Sequence, residues 1–171
     1  MKEKKTKTSG FTFVELLVTL LIVGVLLVVA IPITQDILLK KNVKSRAETL
    51  ASALQYANDE SAALKQTLTL APKNGNWSSG LVLFLDTNHD HQRNSTESLI
   101  YEWKWPSNNI LISWSGIYAD YLLFAPNQDN SDLAGTFSIC PLNSRYVATE
   151  NVVMNRLGRV RVEESSQTCH T

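Results

Sequence analysis

Gly10-Phe11-Thr12-Phe13-Val14-Glu15-Leu16-Leu17 opens a run that stays apolar as far as Ile33, broken only by two threonines and one carboxylate. As a helix rising ~1.5 Å per residue, residues 11–33 match a ~30 Å hydrocarbon core. This predicts a transmembrane stem. Lys2, Lys4, Lys5 and Lys7 precede it against one acid, Glu3. That bias holds the N-terminus in the cytoplasm and sends everything after Ile33 across the membrane. The expected topology is therefore single-pass.

Two features separate this run from an ordinary secretion signal. Ser9-Gly10 precedes the apolar residues, and no small-residue cleavage site follows them, whereas a secretion signal is cut after its apolar region. Glu15 also falls inside the apolar stretch. A carboxylate there costs roughly 2.5–3.5 kcal/mol on insertion scales, which marks it as a functional candidate. Cleavage after Gly10 makes Phe11 a new amine one helical turn before Glu15. Amine and carboxylate then share a face, and the same amine on a neighbouring chain can pair with Glu15 when helices bundle. The alternative is a plain signal anchor with a stray glutamate near the headgroups.

Gly10 to Leu17, at this position, resembles the class III leader of type IV pilins and type II secretion pseudopilins. The resemblance implies that residues 1–10 are a leader cut by a prepilin peptidase after Gly10. It also implies N-methylation of Phe11, a role for Glu15 in filament assembly, and a helix softened at Pro32. Residues 11–33 become the membrane and assembly helix, and residues 34–171 a periplasmic or extracellular head. Other pilins, the prepilin peptidase and the inner membrane are the implied partners.

The 171 residues carry 16 basic and 16 acidic side chains. Loss of the leader removes four lysines and Glu3 and leaves a net charge near −3. Polyanion binding then needs a local patch, since the whole field does not favour it. Two cysteines, Cys140 and Cys169, predict a disulfide in an extracytoplasmic head, with two buried free thiols as the alternative.

Taken in order, Phe11 to about Gln66 reads as one long helix, bent at Pro32. Its second half turns amphipathic: Val43, Ala47, Leu50, Ala51, Leu54 and Ala57 recur at three- and four-residue spacing, with charged residues between. Pro72 and Asn74-Gly75-Asn76 end the helical region. Short β-like runs follow at 81–85, 99–105, 110–114, 121–124, 136–140, 146–148, 151–154 and 159–162, separated by turn-rich clusters. The expected fold is α+β, with a long N-terminal helix, transmembrane then amphipathic, packed on antiparallel sheet in a pilin-like head. The helix, the β domain and the cysteine-bearing tail together resemble the GspH/FimT branch of minor pilins and pseudopilins.

Gly158-Arg159-Val160-Arg161 resembles the G-R-x-R element of FimT-like minor pilins, which implies DNA binding during natural transformation. From the residues themselves, an extended 159–162 puts Arg159 and Arg161 on one side, where arginine forks match phosphate oxygens. Arg145 and Arg156 are placed to join them, giving weak, sequence-independent binding to DNA. A solvated edge strand protected by its charges is the alternative, and Glu163 and Glu164 count against a phosphate site. Trp77, Trp103, Trp105 and Trp114 are read as packing residues in preference to base-stacking platforms.

Asp86, Asn88, Asp90 and Glu97 fall at positions 1, 3, 5 and 12 of a calcium loop. However, His91 replaces the glycine of position 6, and strands flank the segment where an EF-hand has helices. A polar turn is the preferred reading, so no metal is assigned. His89 and His91 lack a third nearby ligand for zinc. With no G-x-S-x-G, H-E-x-x-H or phosphate-cradling glycine loop in the chain, the sequence reads as a non-enzyme without cofactors. A structural minor pilin or pseudopilin that primes or caps a filament without touching DNA is the competing function.

Overall fold

The computed structural model describes residues 10–106, 109–118, 120–126, 130–142 and 149–165, with the side chains of 28–34 and 130–131 outside the described set. The chain divides into two compact units, residues 1–37 and 38–171. One helix, α1 (Phe13–Leu64), contributes to both. The bend expected at Pro32 falls where side chains lie outside the description.

In the first unit, every described side chain of residues 10–27 is exposed. Here the sequence expectation is corrected. Among the described residues no helix is long and apolar enough to cross a membrane. The transmembrane stem, and the inner-membrane single-pass location built on it, are not upheld.

In the second unit, α1 buries Val43, Ala47, Leu50, Ala53, Leu54 and Ala57 completely. Their spacing places them on one stripe, and alanines let the sheets approach closely. The helix ends where Lys65 adopts a left-handed φ of 54°. The Gln66 N–H then reaches back to the Ser61 carbonyl at 3.2 Å, a bond that satisfies one of the last free carbonyls.

Eight strands follow. β1 (Leu68–Pro72), β2 (Gly80–Phe84), β3 (Leu99–Lys104) and β5 (Leu122–Phe124) form one antiparallel sheet in the order β3-β2-β1-β5. β4 (Ile110–Gly116), β6 (Gly135–Pro141), β7 (Thr149–Met154) and β8 (Val160–Ser165) form the other, in the order β4-β6-β7-β8. Seven of the eight predicted runs correspond to strands, that at 121–124 shortened to β5; the run at 146–148 lies outside the described residues. β1 was not anticipated: only three residues separate it from α1, and it is central in its sheet.

Leu68, Leu70, Leu81, Leu83, Leu122 and Phe124 from the first sheet share one core with Ile112, Phe137, Ile139 and Val152 from the second and with the α1 stripe. The fold is thus α+β, helix on antiparallel sheets. Ser78, in the short 3-10 turn before β2, ties the sheets together. Its Oγ accepts the Ile112 N–H at 2.9 Å and donates to the Ile112 carbonyl at 3.4 Å. Gly80 has φ 138°, and a Cβ there would collide with the Trp103 carbonyl oxygen, so the first position of β2 beside β3 requires glycine.

Candidate functional site

The N-terminal end of α1 is built by Thr12. Its Oγ1 accepts the Glu15 N–H at 3.3 Å, satisfying one of the free donors of the first turn. Glu15 sits in that turn, where a negative charge is favoured by the helix dipole. Thr12-x-x-Glu15 is a capping-box pattern, a signal present in the sequence that our reading of Glu15 passed over. Phe11 and Phe13 are each 74% exposed. From Val14 to Leu27 every large apolar residue of α1 is at least half exposed. A surface of this kind is one that other helices can cover.

The arginine segment does not form the site expected of it. Arg145 lies outside the described residues. Residues 155–159 are the turn of the β7–β8 hairpin: Asn155 Oδ1 accepts the N–H groups of Leu157 at 2.9 Å and Arg159 at 3.0 Å. Gly158 supplies the positive φ of 71° that this turn requires. Arg156 is exposed in the turn. Arg161 Nε lies 2.8 Å from Glu163 Oε1, and alternation puts the two on one face of β8. Glu164 is held by Lys40 Nζ at 2.7 Å. The surface is therefore of mixed charge, and no basic DNA-binding segment is formed among the described residues.

The tryptophans pack. Trp105 Nε1 donates to the Trp77 carbonyl at 2.9 Å, and Trp114 Nε1 to the Tyr118 carbonyl at 2.7 Å. Trp77 and Trp114 both pack on Phe137. Trp103 meets Tyr101 and Tyr56. The Arg46 guanidinium, on the buried side of α1, lies 4.6 Å from the Trp105 ring centroid, a cation–π contact that sequence periodicity did not disclose. Burial lowers the Arg46 pKa from its ordinary value.

The 86–97 loop joins β2 to β3 and is organised around two buried acids. Asp86 Oδ1 accepts the His89 N–H at 2.7 Å, and Oδ2 the His91 N–H at 2.9 Å. Glu97 takes the Thr87 N–H at 3.1 Å and the Asn94 N–H at 3.0 Å. Asn88 Oδ1 and Asp90 Oδ1 accept from Asp90 N and Gln92 N. Burial works to raise the Asp86 pKa, but the two N–H bonds and His91 outweigh it and leave the carboxyl below its usual range. His91 Nδ1 stands 3.2 Å from Asp86 Oδ2. Both histidines hold left-handed φ values, 61° and 60°, the conformation a glycine at position 6 would adopt.

Asp86, Asp90 and Glu97 bring carboxylate oxygens within 4.8 Å of one another, so these three, with Asn88, are the residues that could hold a hard cation. Their oxygens are already engaged by the loop's own N–H groups. The loop also walls an open cleft of about 660 Å³, lined further by Lys73, Glu102, Asp120 and Tyr121. The His91 ring stacks on Tyr121 at 3.8 Å. Lys73 Nζ bonds Glu102 at 2.6 Å. Of the cleft's ionic groups, Lys73 and Glu102 are spent on one another.

Cys140, at the end of β6, is disulfide-bonded. Cys169, its expected partner, lies outside the described residues.

Residues 46–158 match the family model described as Type II transport protein GspH, and residues 5–31 match the prokaryotic N-terminal methylation motif. No curated protein matches the chain. Two crystal forms of the Pseudomonas aeruginosa (strain PAO1) type IV minor pilin FimU share the fold. The P21 form has TM-score 0.59 and 18% identity over 77% of this chain and 95% of FimU. The P65 form has TM-score 0.57 and 19% identity over 75% and 98%. Because the GspH model spans about two thirds of the sequence, the chain belongs to the GspH family of type IV pilin- and pseudopilin-like proteins, and it is not an enzyme.

Proposed function

We propose that this chain is a structural subunit, a minor pilin or type II secretion pseudopilin that primes or caps a filament and contacts other pilins. The observation that carries this reading is the order of parts in one polypeptide: a methylation motif at residues 5–31 directly ahead of a GspH-type head. The exposed apolar residues from Phe11 to Leu27 supply the surface on which subunits associate. A prepilin peptidase cuts after Gly10 and methylates Phe11. The new amine pairs with Glu15 of its own or a neighbouring helix, one turn away. Cys140 closes a disulfide with Cys169 and fastens the C-terminal tail to β6. DNA binding, expected from Gly158-Arg159-Val160-Arg161, is withdrawn, since Gly158 serves a hairpin and Glu163 occupies Arg161. The finer FimT-like assignment leaned partly on those same residues; membership of the GspH family does not.

Mass spectrometry of the mature protein tests the reading directly. The expected N-terminus is N-methylated Phe11, and Glu15→Leu is expected to be processed normally yet lost from sheared filaments. A mature chain starting at another residue, or Glu15→Leu recovered in filaments at wild-type levels, overturns it.

A further inference from the structure

Glu150 in β7 is 5% exposed, and among the described residues its carboxylate makes no hydrogen bond. Its cross-strand partner on β8 is Glu164. Like charges directly opposed across a sheet are destabilising. Glu164 is relieved by α1, where Lys40 Nζ lies 2.7 Å from its Oε1. Lys44 follows one turn along the same helix and Glu48 the next. Lys44 and Lys40 favour a charged Glu150, while Glu164 and Glu48 oppose it. On its other flank, β6 presents only the apolar Ile139.

The two acids therefore have opposite surroundings. Burial, and then Glu164, push the Glu150 carboxyl up. The hydrogen bond from Lys40 holds Glu164 down. Neighbouring carboxyls separated in this way titrate one at a time.

We propose that Glu150 is a proton-operated latch for the last strand: protonated, it leaves Lys40 to Glu164 and clamps β8 to α1; ionised, it opposes Glu164, competes for Lys40 and loosens β8. A carboxyl raised in the folded state stabilises fully below its unfolded value, and the contribution is lost as pH rises through the folded one. The clamp is tight below the ordinary glutamate range and slackens as pH rises through the raised folded value.

The full chain, solubilised in detergent, gives the test through thermal midpoints and hydrogen exchange of the β8 amides between about pH 5 and about pH 8. Glu150→Gln imitates the protonated form. It is expected to raise the midpoint by roughly 2–4 °C at the alkaline end and to leave it unchanged at the acid end. Wild-type β8 amides lose protection across this range beyond their intrinsic pH dependence, and the variant's do not. Glu164→Gln, which removes the opposing charge, moves the wild-type transition to lower pH. An offset between Glu150→Gln and wild type that is equal at both pH values overturns the latch. So does β8 protection that ignores pH, or a transition unmoved by Glu164→Gln.

Discussion

Asp86→Ala is expected to destabilise the head by about 2–3 kcal/mol, and the number follows from what the carboxylate does. It is 8% exposed and accepts the N–H groups of His89 and His91 at 2.7 and 2.9 Å. Hydrogen bonds to a charged acceptor are worth about 1.5–3 kcal/mol net. The lower figure applies here, because His89 is exposed and His91 half-buried, so water reaches these donors in the variant. Two such bonds set the estimate. The loop has a further reason to need them: His89 and His91 hold left-handed backbone, which costs a non-glycine residue roughly 1–2 kcal/mol. Asp86 bonds the backbone N–H of both, and His91 is held besides by its stack on Tyr121.

Thermal unfolding of the full chain in detergent, followed by near-UV circular dichroism of the packed tryptophans, is the assay. At 2–4 °C per kcal/mol for a chain of this size, the midpoint should fall by roughly 4–12 °C. Asp86→Asn retains one acceptor oxygen and should lose about half as much. The pH profile adds a sign. The Asp86 pKa is depressed, because its N–H bonds overcome the effect of burial. Its stabilisation is therefore present above the unfolded value of about 3.9 and lost as pH falls through the lower folded value. The gap between wild type and Asp86→Asn should close below about pH 4. An Asp86→Ala midpoint within a degree of wild type, or a gap to Asp86→Asn that stays constant into acid, refutes the account.

Three further outcomes are expected. Gly80→Ala should cost about 3 kcal/mol or more, read as a lowered midpoint, because its Cβ meets the Trp103 carbonyl oxygen on the adjoining strand. Leu54→Ala should cost about 2–5 kcal/mol, since the side chain is fully buried and leaves a cavity between helix and sheets. In gel-shift titrations at moderate salt the purified protein should fail to retard DNA, and Arg159→Gln with Arg161→Gln should change nothing; retardation that the double variant abolishes would restore the nucleic-acid reading.

The helix and its buried stripe were legible because period and composition agree. Val43, Ala47, Leu50, Leu54 and Ala57 recur at helical spacing and are fully buried, while Ala51, read into the same stripe, is only partly buried. Ala53 escaped notice, since a single alanine beside a leucine carries little periodic signal. β1 escaped for a different reason. Leu68-Thr69-Leu70-Ala71-Pro72 is apolar at four of its five positions, and a short run buried on both faces shows no alternation to read. The stop that separates it from α1 is Lys65 in a left-handed conformation, a place where sequence gives no warning because glycine is absent. Glu150 was hidden likewise: a glutamate at a strand end reads as solvated, and only the register opposite Glu164 reveals its burial.

Gly158-Arg159-Val160-Arg161 shows how a short motif misleads when two demands select the same residues. A tight turn between antiparallel strands asks for glycine at a positive φ. An edge strand asks for charge to keep it from pairing further. Glycine followed by alternating arginines meets both without any ligand. A phosphate site asks for one thing more, guanidiniums left free of carboxylates. That condition fails here: Arg161 already holds Glu163 at 2.8 Å, with 68% of the arginine side chain exposed. Displacing that carboxylate would replace an internal partner with a phosphate at no gain in charge pairing. The glutamates that follow the motif belong to the same strand design as the arginines. They hold the hairpin edge near neutrality and give Lys40 of α1 the counter-charge that it reaches across to β8.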